Sequence, residues 1–292
     1  MLFAHASRLY PISRWFNQPL FHRISAKILA LPSSPPQCVA NPVNCGYHLP
    51  TAGFTRRAAT KPVPKFGFFM IVMSDTPVLH RPASPVYWQH FDGIQPYFPT
   101  IDAMQAHAAA IRAAGAPESV WLLQHDAIYT GGTSARDDDL LAPGDIPAVR
   151  IGRGGQWTYH GPGQRVAYVM LDLGVRGHDV RALVHGLESW VIACLADCGV
   201  IGQRRDGLPG IWVDTGNSIS GLDKIAAIGI RISRWVSWHG LAINLNPDLA
   251  AFDAIVPCGQ RDSGVTSLAA IGVDLSMTHM DDLLKARFSD YF

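Results

Sequence analysis

Residues 153–164 read Arg-Gly-Gly-Gln-Trp-Thr-Tyr-His-Gly-Pro-Gly-Gln, and they lead directly into an apolar run at residues 166–173. Four glycines in twelve residues disfavour a helix or a strand, because glycine loses more backbone entropy on folding than any other residue. The arginine, glutamines, threonine, tyrosine and histidine between the glycines can all form hydrogen bonds. A polar, glycine-rich loop next to a buried strand is typical of a binding site, and the alternative is a mobile surface turn.

The composition of the 292-residue chain predicts a well-buried core, since 48% of its residues are hydrophobic and 16% are charged. No apolar run reaches the roughly 18 residues that a membrane span needs, so we expect a cytoplasmic protein without membrane contact. Residues 1–69 contain eight Lys or Arg and no Asp or Glu, which leaves 16 basic and 23 acidic residues, a net charge of −7, in the remainder. A net negative charge on the remainder of the chain is unsuited to binding nucleic acid, which requires basic residues that neutralise phosphates.

The beginning of the chain differs from the rest. Its first 69 residues include nine prolines and show no sustained helical or strand period. A basic leader without acidic residues resembles an organellar transit peptide, which would make the protein mitochondrial. The alternative, which the prolines favour, is an upstream extension before a start at Met70 or Met73. In both cases we expect residues 1–75 to be disordered and residues 76–292 to form the functional domain.

From about residue 85, predicted helices alternate with strands. We expect one helix from an N-cap at Thr100 to Ala114, a longer helix after an N-cap at Asp179, and a terminal helix that begins with a capping box of Thr278 and Asp281. Strands are predicted at residues 120–123, 166–173, 211–214, 224–232 and 236–245. Strand hairpins covered by a few helices predict an α+β, or mixed α/β, domain. No amphipathic pairing helix stands out, so we expect a monomer.

The cysteines show neither a disulfide framework nor a metal-binding spacing. Cys194 and Cys198 share a face of a predicted helix, where core packing explains them better than a metal site. Cys258 differs from them, because the proline before it and the glycine after it predict a tight, exposed turn. The other two cysteines, Cys38 and Cys45, fall in the predicted leader.

Lysine is rare beyond residue 65, where fourteen arginines accompany only Lys224 and Lys285. Lys285 falls on the polar side of the predicted terminal helix. Lys224 begins a strand that is apolar on both faces, so it requires an anionic partner or a lowered pKa, although snorkelling at a strand end explains it equally well. A lysine beside Cys258 would stabilise the thiolate and make that cysteine a nucleophile.

Five segments together make the chain resemble the octanoyltransferases of lipoate biosynthesis, which share a catalytic fold with lipoate– and biotin–protein ligases. They are the glycine-rich segment 153–164, Gly-x-Pro-Gly-x-Trp-Val at 207–213, Lys-Ile-Ala-x-x-Gly at 224–229, His-Gly-Leu-Ala at 239–242, and Pro-Cys-Gly with Gly-Val-Thr-Ser-Leu at 257–268. Residues 123–130 depart modestly from the family's Glu-His-Pro-Pro pattern. The resemblance implies mainly antiparallel mixed sheets covered by helices.

The resemblance also implies a two-step acyl transfer. Cys258 would attack the thioester of octanoyl-acyl carrier protein and hold the octanoyl group, and Lys224 would lower the pKa of Cys258. A lysine of a lipoyl domain would then take the acyl group as an amide; the implied acceptors are the lipoyl domains of 2-oxoacid dehydrogenases and the glycine cleavage H protein. We expect no cofactor and no metal ion. The residues that would line the acyl site are Arg153, Gly154, Gly155, Gln156, Trp157, Thr158, Tyr159, His160, Ala227, Ile228, Gly229, Gly240, Leu241 and Ala242.

The residue types suit this chemistry. Glycines allow backbone N–H groups to approach the thioester carbonyl and stabilise its tetrahedral oxyanion. Ile228 and Leu241 can face an eight-carbon chain, and each buried CH₂ group contributes about 0.8 kcal/mol. His160 and His239 could orient groups or shuttle a proton, or they could make structural hydrogen bonds.

Two alternative functions belong to other classes of protein. An ATP-dependent lipoate–protein ligase needs no acyl-cysteine, and its glycine loop typically has a third consecutive glycine where this chain has Gln156. A non-catalytic acyl-binding module would be expected to lose Lys224 or Cys258. The sequence has all three residues and therefore favours the transferase.

Overall fold

The computed structural model describes residues 79–80, 82, 84–256, 259 and 262–292. All of them belong to the second of the two units into which the chain divides, Phe69–Phe292. The predicted leader, with Cys38 and Cys45, and the proposed nucleophile Cys258 lie outside the described residues. The domain boundary near residue 75 therefore stays a prediction.

A seven-stranded sheet forms the centre of the fold. Its neighbouring strands are antiparallel, except for one parallel pair at the β1 edge. In spatial order they are β1 (Tyr87–Gln95), β2 (Ser119–His125), β6 (Gln164–Met170), β10 (Val236–Asn244), β9 (Leu222–Ser233), β8 (Leu208–Asp214) and β7 (Gln203–Arg205). A second sheet has the order β4 (Ala148–Arg150), β3 (Ile128–Gly131) and β5 (Trp157–His160). The predicted strands are confirmed, apart from the end of the run at 166–173, which turns into a short helix.

Helices cover both faces of the central sheet. They are α1 (Tyr97–Ala114), α2 (Leu173–Arg176), α3 (Val180–Asp197) and α4 (Met277–Phe288). Successive residues of a strand point to opposite faces. On β2, Val120 and Leu122 belong to the core that contains the apolar residues of α3 and α4, whereas Trp121 and Leu123 pack with those of α1. The predicted mixed α/β class is confirmed.

The N-cap predicted at Asp179 is confirmed, because its side chain accepts a hydrogen bond from the backbone N–H of Ala182 at 2.9 Å. The N-cap predicted at Thr100 is wrong. The helix begins three residues earlier, at Tyr97, directly after Pro96. Thr100 lies inside the first turn, where its hydroxyl donates to the Pro96 carbonyl at 2.8 Å.

The capping box predicted at Thr278 and Asp281 is also wrong. Ser276 caps α4 by accepting a hydrogen bond from the backbone N–H of His279 at 3.1 Å. Asp281 is instead buried against Arg165 of β6, with 2.8 Å between the carboxylate Oδ1 and the guanidinium Nε. The carboxylate thus connects the terminal helix to the central sheet.

The two described cysteines occupy the predicted core positions on α3. Cys194 is fully buried among apolar residues, and Cys198 packs against the same cluster. Burial raises the pKa of Cys194 to about 12, so this thiol stays protonated at neutral pH. None of the helices in the described ranges combines the length and apolar character needed to cross a bilayer.

Candidate active site

A cavity of about 970 Å³ lies over the strands β6, β9 and β10. It brings together almost all of the site residues predicted from the sequence. Those that line it are Arg153, Gly154, Gly155, Gln156, Trp157, Thr158, His160, Lys224, Ala227, Ile228, Gly229, Gly240, Leu241 and Ala242. Tyr159 does not line it: its ring is buried in a neighbouring apolar cluster, against Tyr129 and Phe252.

The floor of the cavity consists of two rows of residues in register across three strands, and the residues on β9 and β10 are small. Gly229 on β9 is opposite Gly240 on β10, which is opposite Tyr168 on β6. The next row towards Lys224 is Ala227, Ala242 and Val166. Opposed residues in a sheet present their side chains on the same face. The cavity therefore exists because β9 and β10 carry almost no side-chain volume at these positions.

The glycine-rich segment divides into a loop, a strand and a turn. Residues 157–160 form β5, which pairs with β3, so the expectation of a continuous loop is wrong for these four residues. They contain no glycine, and the glycines lie on either side of them. The first glycines form the loop 152–156, where the backbone N–H of Gly154 donates to the Ile230 carbonyl at 2.9 Å. Strand β8 pairs with β9 only as far as Ala227, and beyond that point the loop contacts the edge of β9 through this hydrogen bond.

Gly229 permits this close approach. A Cβ atom at position 229 would lie 3.0 Å from Cδ of Arg153 and 3.2 Å from the carbonyl oxygen of Gly154. Arg153 is itself buried and holds the loop against β3, because its guanidinium donates to the hydroxyl of Thr130 at 2.8 Å and to the carbonyl of Gln156 at 3.1 Å. The loop is thus fixed to both sheets.

A β-bulge directs Lys224 into the cavity. Ile211 of β8 is opposite Ala226, but the next residue, Trp212, is opposite Lys224, so Ile225 is an extra residue in β9. In a regular strand, residues 224 and 227 would point to opposite faces, and a bulge re-aims one side chain relative to the other. Lys224 and Ala227 accordingly both line the cavity.

The ammonium group of Lys224 is enclosed, and the residue as a whole is only 5% exposed. Nζ donates to the Pro209 carbonyl at 2.7 Å and lies 4.8 Å from the ring centroid of Trp212, a cation–π distance. Gly210 provides the space, since a Cβ there would lie 2.8 Å from Nζ. The carbonyl and the aromatic ring thus help to hold the ammonium group at the wall of the cavity.

The chain segments on both sides of Cys258 are anchored beside this lysine and the glycine loop. Before it, the Val256 N–H donates to the Asp139 carbonyl at 2.8 Å. Directly after it, Gly259 lines the cavity next to the carboxamide of Gln156. Further on, Val265 forms a parallel bridge with Lys224, flanked by backbone hydrogen bonds of 2.9 Å on either side.

The cavity wall contains one carboxamide oxygen, on Gln156, whose surroundings bear on hydrogen bonding. Oε1 of Gln156 is buried and accepts no hydrogen bond from any residue that the structure describes. A buried carbonyl oxygen without a donor is costly, so this atom suits an N–H group of a bound molecule. Within the same described ranges, no group of three or more His, Cys, Asp or Glu side chains is placed to hold a metal ion.

A chain of hydrogen bonds connects β5 to the Lys224 segment. Nδ1 of His160 lies 2.7 Å from Oε1 of Gln164, whose Nε2 donates to Oδ1 of Asn244 at 2.9 Å. Nδ2 of Asn244 donates to the Thr266 carbonyl at 2.9 Å, and the Thr266 N–H donates to the Lys224 carbonyl at 2.9 Å. Both ends of this chain line the cavity, so the glycine motif and the lysine strand are positioned together.

Comparison with known proteins shows which family the chain belongs to. Residues 96–289 match the family described as the lipoyl protein ligase A/B catalytic domain. An octanoyltransferase of Cereibacter sphaeroides is 54% identical over 215 residues, which cover 72% of this chain and 99% of that protein. An octanoyltransferase of Acidiphilium cryptum is 55% identical over 212 residues, which cover 71% of this chain and 92% of that protein. The chain belongs to the octanoyltransferase family. The identification predicted from the sequence motifs, as an acyltransferase enzyme, is confirmed.

Solved structures similar to this chain support the fold. A bi-partite lipoate protein ligase from Thermoplasma acidophilum superposes with a TM-score of 0.53 at 16% identity, covering 71% of this chain and 84% of its own. A lipoate-protein ligase A bound with ATP gives a TM-score of 0.52 at 16% identity, with 70% of this chain and 85% of its own covered. The predicted ligase-like architecture is thereby confirmed.

Three buried histidines are grouped near the β6 end of the cavity, which His160 and His239 line. His125, His160 and His239 are packed with two tyrosines, Tyr97 and Tyr168. Burial is the main cause that lowers the pKa of His125 to about 4 and the pKa values of His160 and His239 to about 3. All three imidazoles are therefore neutral at pH 7.

Sequence reasoning missed several members of this end of the site. His125, Tyr168, Gln164 and Asn244 were not assigned there, although Gln164 closes the glycine-rich segment. The spacing of residues along β6 could have indicated them: Gln164, Val166 and Tyr168 are every second residue of the strand, so their side chains share a face. The pairing of β6 with β10, which brings them beside Gly240, is not visible in the sequence.

Proposed function

We propose that this octanoyltransferase moves the octanoyl group from octanoyl-acyl carrier protein to a lysine of lipoyl domains through a thioester on Cys258. The observation that supports this most strongly is the position of Lys224. Its enclosed ammonium faces the cavity that Gly259, the chain neighbour of Cys258, also lines. A nearby ammonium stabilises a thiolate, which is the nucleophilic form of cysteine.

In the first step the Cys258 thiolate attacks the thioester carbonyl, and the carbon–sulfur bond to the carrier breaks. The carrier leaves as a thiol after taking a proton, and Cys258 holds the octanoyl group. In the second step the neutral ε-amine of the acceptor lysine attacks the new thioester. The amine loses a proton, the bond to Cys258 breaks, and the product is an amide. No ATP is consumed, because each step exchanges one acyl bond for another.

The geometry offers positions for both substrates. The small-residue floor accommodates the acyl chain, and each buried CH₂ contributes about 0.8 kcal/mol to its binding. Oε1 of Gln156 would accept a hydrogen bond from the amine of the incoming lysine, beside Gly259. The acceptors we propose are the lipoyl domains of 2-oxoacid dehydrogenases and the glycine cleavage H protein. We further propose a cytoplasmic monomer whose catalytic domain spans residues 76–292.

The test is to incubate the protein with octanoyl-acyl carrier protein, quench in acid and search for an acyl adduct by peptide mass spectrometry. The adduct should lie on the peptide with Cys258, and Cys258→Ala should abolish both adduct and transfer. Cys194→Ala is the matched control, because this buried thiol belongs to the core and the variant should keep the adduct. The proposal fails if wild type forms no adduct, or if Cys258→Ala retains full transfer to a lipoyl domain.

A further inference from the structure

We propose that Tyr168 ends the acyl site and thereby sets the chain length that the enzyme accepts. This inference rests on the proposed function and names a determinant of its specificity. Tyr168 lines the cavity, lies in register with Gly240 on the floor, and is the bulkiest residue of its row. It stands on β6, whereas Lys224 and Gly229 are on β9, two strands away.

The span between these strands matches an octanoyl chain. Neighbouring strands are about 4.8 Å apart, so β9 and β6 are separated by roughly 10 Å. Seven carbon–carbon bonds of about 1.5 Å in a zigzag reach roughly 9 Å from the carbonyl carbon to the terminal methyl. With its carbonyl over β9, an octanoyl group would cross Gly240 or Ala242 on β10 and bring its methyl group to β6.

Tyr168 is held rigidly enough to stop the chain. Its hydroxyl lies 2.6 Å from Nε2 of His125, and Nδ1 of His125 lies 2.9 Å from the carbonyl oxygen of Gln95. A carbonyl oxygen can only accept, so Nδ1 carries the proton, Nε2 is the acceptor, and the tyrosine hydroxyl donates to His125. The hydroxyl is thereby directed away from the substrate, and the ring carbons are what the cavity presents.

The surroundings of Tyr168 suit an apolar chain end. His160 and His239 are neutral at pH 7 because burial lowers the pKa of each to about 3. On the far side of the ring, β2 places Trp121 opposite Tyr168, and Met104 of α1 belongs to the same apolar cluster. Removing the ring would therefore open an apolar space, which further methylene groups would fill in preference to water.

The experiment compares kcat/KM for carrier proteins loaded with hexanoyl, octanoyl, decanoyl and dodecanoyl groups. For wild type, kcat/KM should fall steeply when the acyl chain is longer than eight carbons. Tyr168→Ala should raise the decanoyl-to-octanoyl ratio on the order of tenfold, because each further buried methylene favours binding about fourfold. Tyr168→Phe keeps the ring and should keep the octanoyl preference, which separates the effect of ring volume from that of the hydroxyl.

A second variant changes the site in the opposite direction and remains informative if Tyr168→Ala folds poorly. Ala242 lies on the floor between β9 and β6, so Ala242→Val should shorten the site and favour hexanoyl over octanoyl. Unchanged length profiles in Tyr168→Ala and Ala242→Val, with octanoyl transfer intact in wild type, would overturn this inference alone. Absence of octanoyl transfer in wild type would instead overturn the proposed function.

Discussion

His160 and Gln164 are joined by a contact of 2.7 Å that fixes which imidazole nitrogen carries the proton. The Thr266 carbonyl accepts from Nδ2 of Asn244, which turns Oδ1 of Asn244 towards Gln164. Gln164 must then present its Nε2 to Asn244 and its Oε1 to His160. A carboxamide oxygen only accepts, so Nδ1 of His160 is the donor and its Nε2 keeps a lone pair. A backbone carbonyl thus determines a tautomer three side chains away.

This arrangement predicts the nuclear magnetic resonance spectrum of His160. ¹⁵N shifts should show the Nδ1–H tautomer, neutral down to about pH 4, since the pKa is lowered to about 3. Gln164→Glu places a carboxylate next to Nδ1 and should raise this pKa, because an opposite charge favours the imidazolium. An Nε2–H tautomer in wild type would contradict the assignment of the two carboxamides.

The buried histidines should make stability fall in mild acid. The pKa values of His125, His160 and His239 are lowered in the fold to about 4, 3 and 3. In the unfolded chain the histidine pKa values are near 6.5. Between pH 6.5 and the lowered pKa values of the folded protein, the unfolded chain therefore binds more protons than the folded protein. The free energy of unfolding consequently rises with pH across this range. From pH 7 to pH 5 each histidine should cost at most about 2 kcal/mol of unfolding free energy.

Urea unfolding at the two pH values measures this loss. His160→Asn removes one of the titrating groups, so its stability should change less with pH than that of wild type. An equal pH dependence in both proteins would show that His160 does not contribute.

Lys224 should control the reactivity of Cys258. Lys224→Ala should shift the pH profile of Cys258 alkylation upwards, because the ammonium that favours the thiolate is gone. Lys285→Ala is the matched control, since Lys285 is an exposed lysine on α4. Alkylation is followed on the Cys258 peptide by mass spectrometry, so that other thiols do not interfere. Identical profiles for Lys224→Ala and wild type would remove the proposed role of this lysine.

The ion pair of Arg165 and Asp281 should matter for stability. The two side chains are only 3% and 5% exposed, and burial raises the pKa of Asp281 while Arg165 opposes that rise. Asp281→Leu would leave a buried guanidinium without its carboxylate, which should destabilise the protein by about 3–5 kcal/mol. The double variant Arg165→Met with Asp281→Leu should recover much of this loss in urea unfolding. Additive losses in the double variant would mean that the two charges do not compensate each other.

Gly229 should be sensitive to a single methyl group. Gly229→Ala places a Cβ 3.0 Å from Arg153 and should push the loop 152–156 away from β9, so kcat/KM for octanoyl transfer should fall by on the order of tenfold or more. Gly154→Ala is the comparison, since its Cβ would meet only the Ile230 carbonyl at 3.4 Å, and it should lose less activity. Equal losses would indicate that the contact with Arg153 is unimportant.

Local pattern sufficed to predict much of this molecule. Side-chain spacing alone predicts the helix α3 with its cap at Asp179, and the apolar strands β6 and β10. It suffices there because burial of side chains dominates those segments. Motif resemblance added most of the cavity lining. Thr100 and Thr278 failed as caps because Pro96 and Ser276, a few residues upstream, provide compatible helix starts.

The orientation of Lys224 could not be predicted. It depends on one extra residue, Ile225, in the pairing of β9 with β8. In a strand whose residues are apolar on both faces, the sequence pattern does not show where such a bulge lies. The histidine cluster was missed for a related reason. His125, His160 and His239 belong to β2, β5 and β10, and only the arrangement of both sheets brings them together.

The glycines and alanines of the floor have a consequence for the evolution of this enzyme. Its cavity is produced by omitting side chains from continuous strands, whose hydrogen bonds stay intact beneath it. The backbone need not move for the cavity to change shape, so one substitution can alter the accepted acyl group while the folded scaffold persists. Gly240 and Gly229 are exceptions, because a Cβ at 240 would lie 2.0 Å from the Ala167 carbonyl oxygen and a Cβ at 229 would lie 3.0 Å from Cδ of Arg153. Variation in substrate range among such proteins should therefore concentrate at positions 227, 242, 166 and 168, and spare positions 240 and 229.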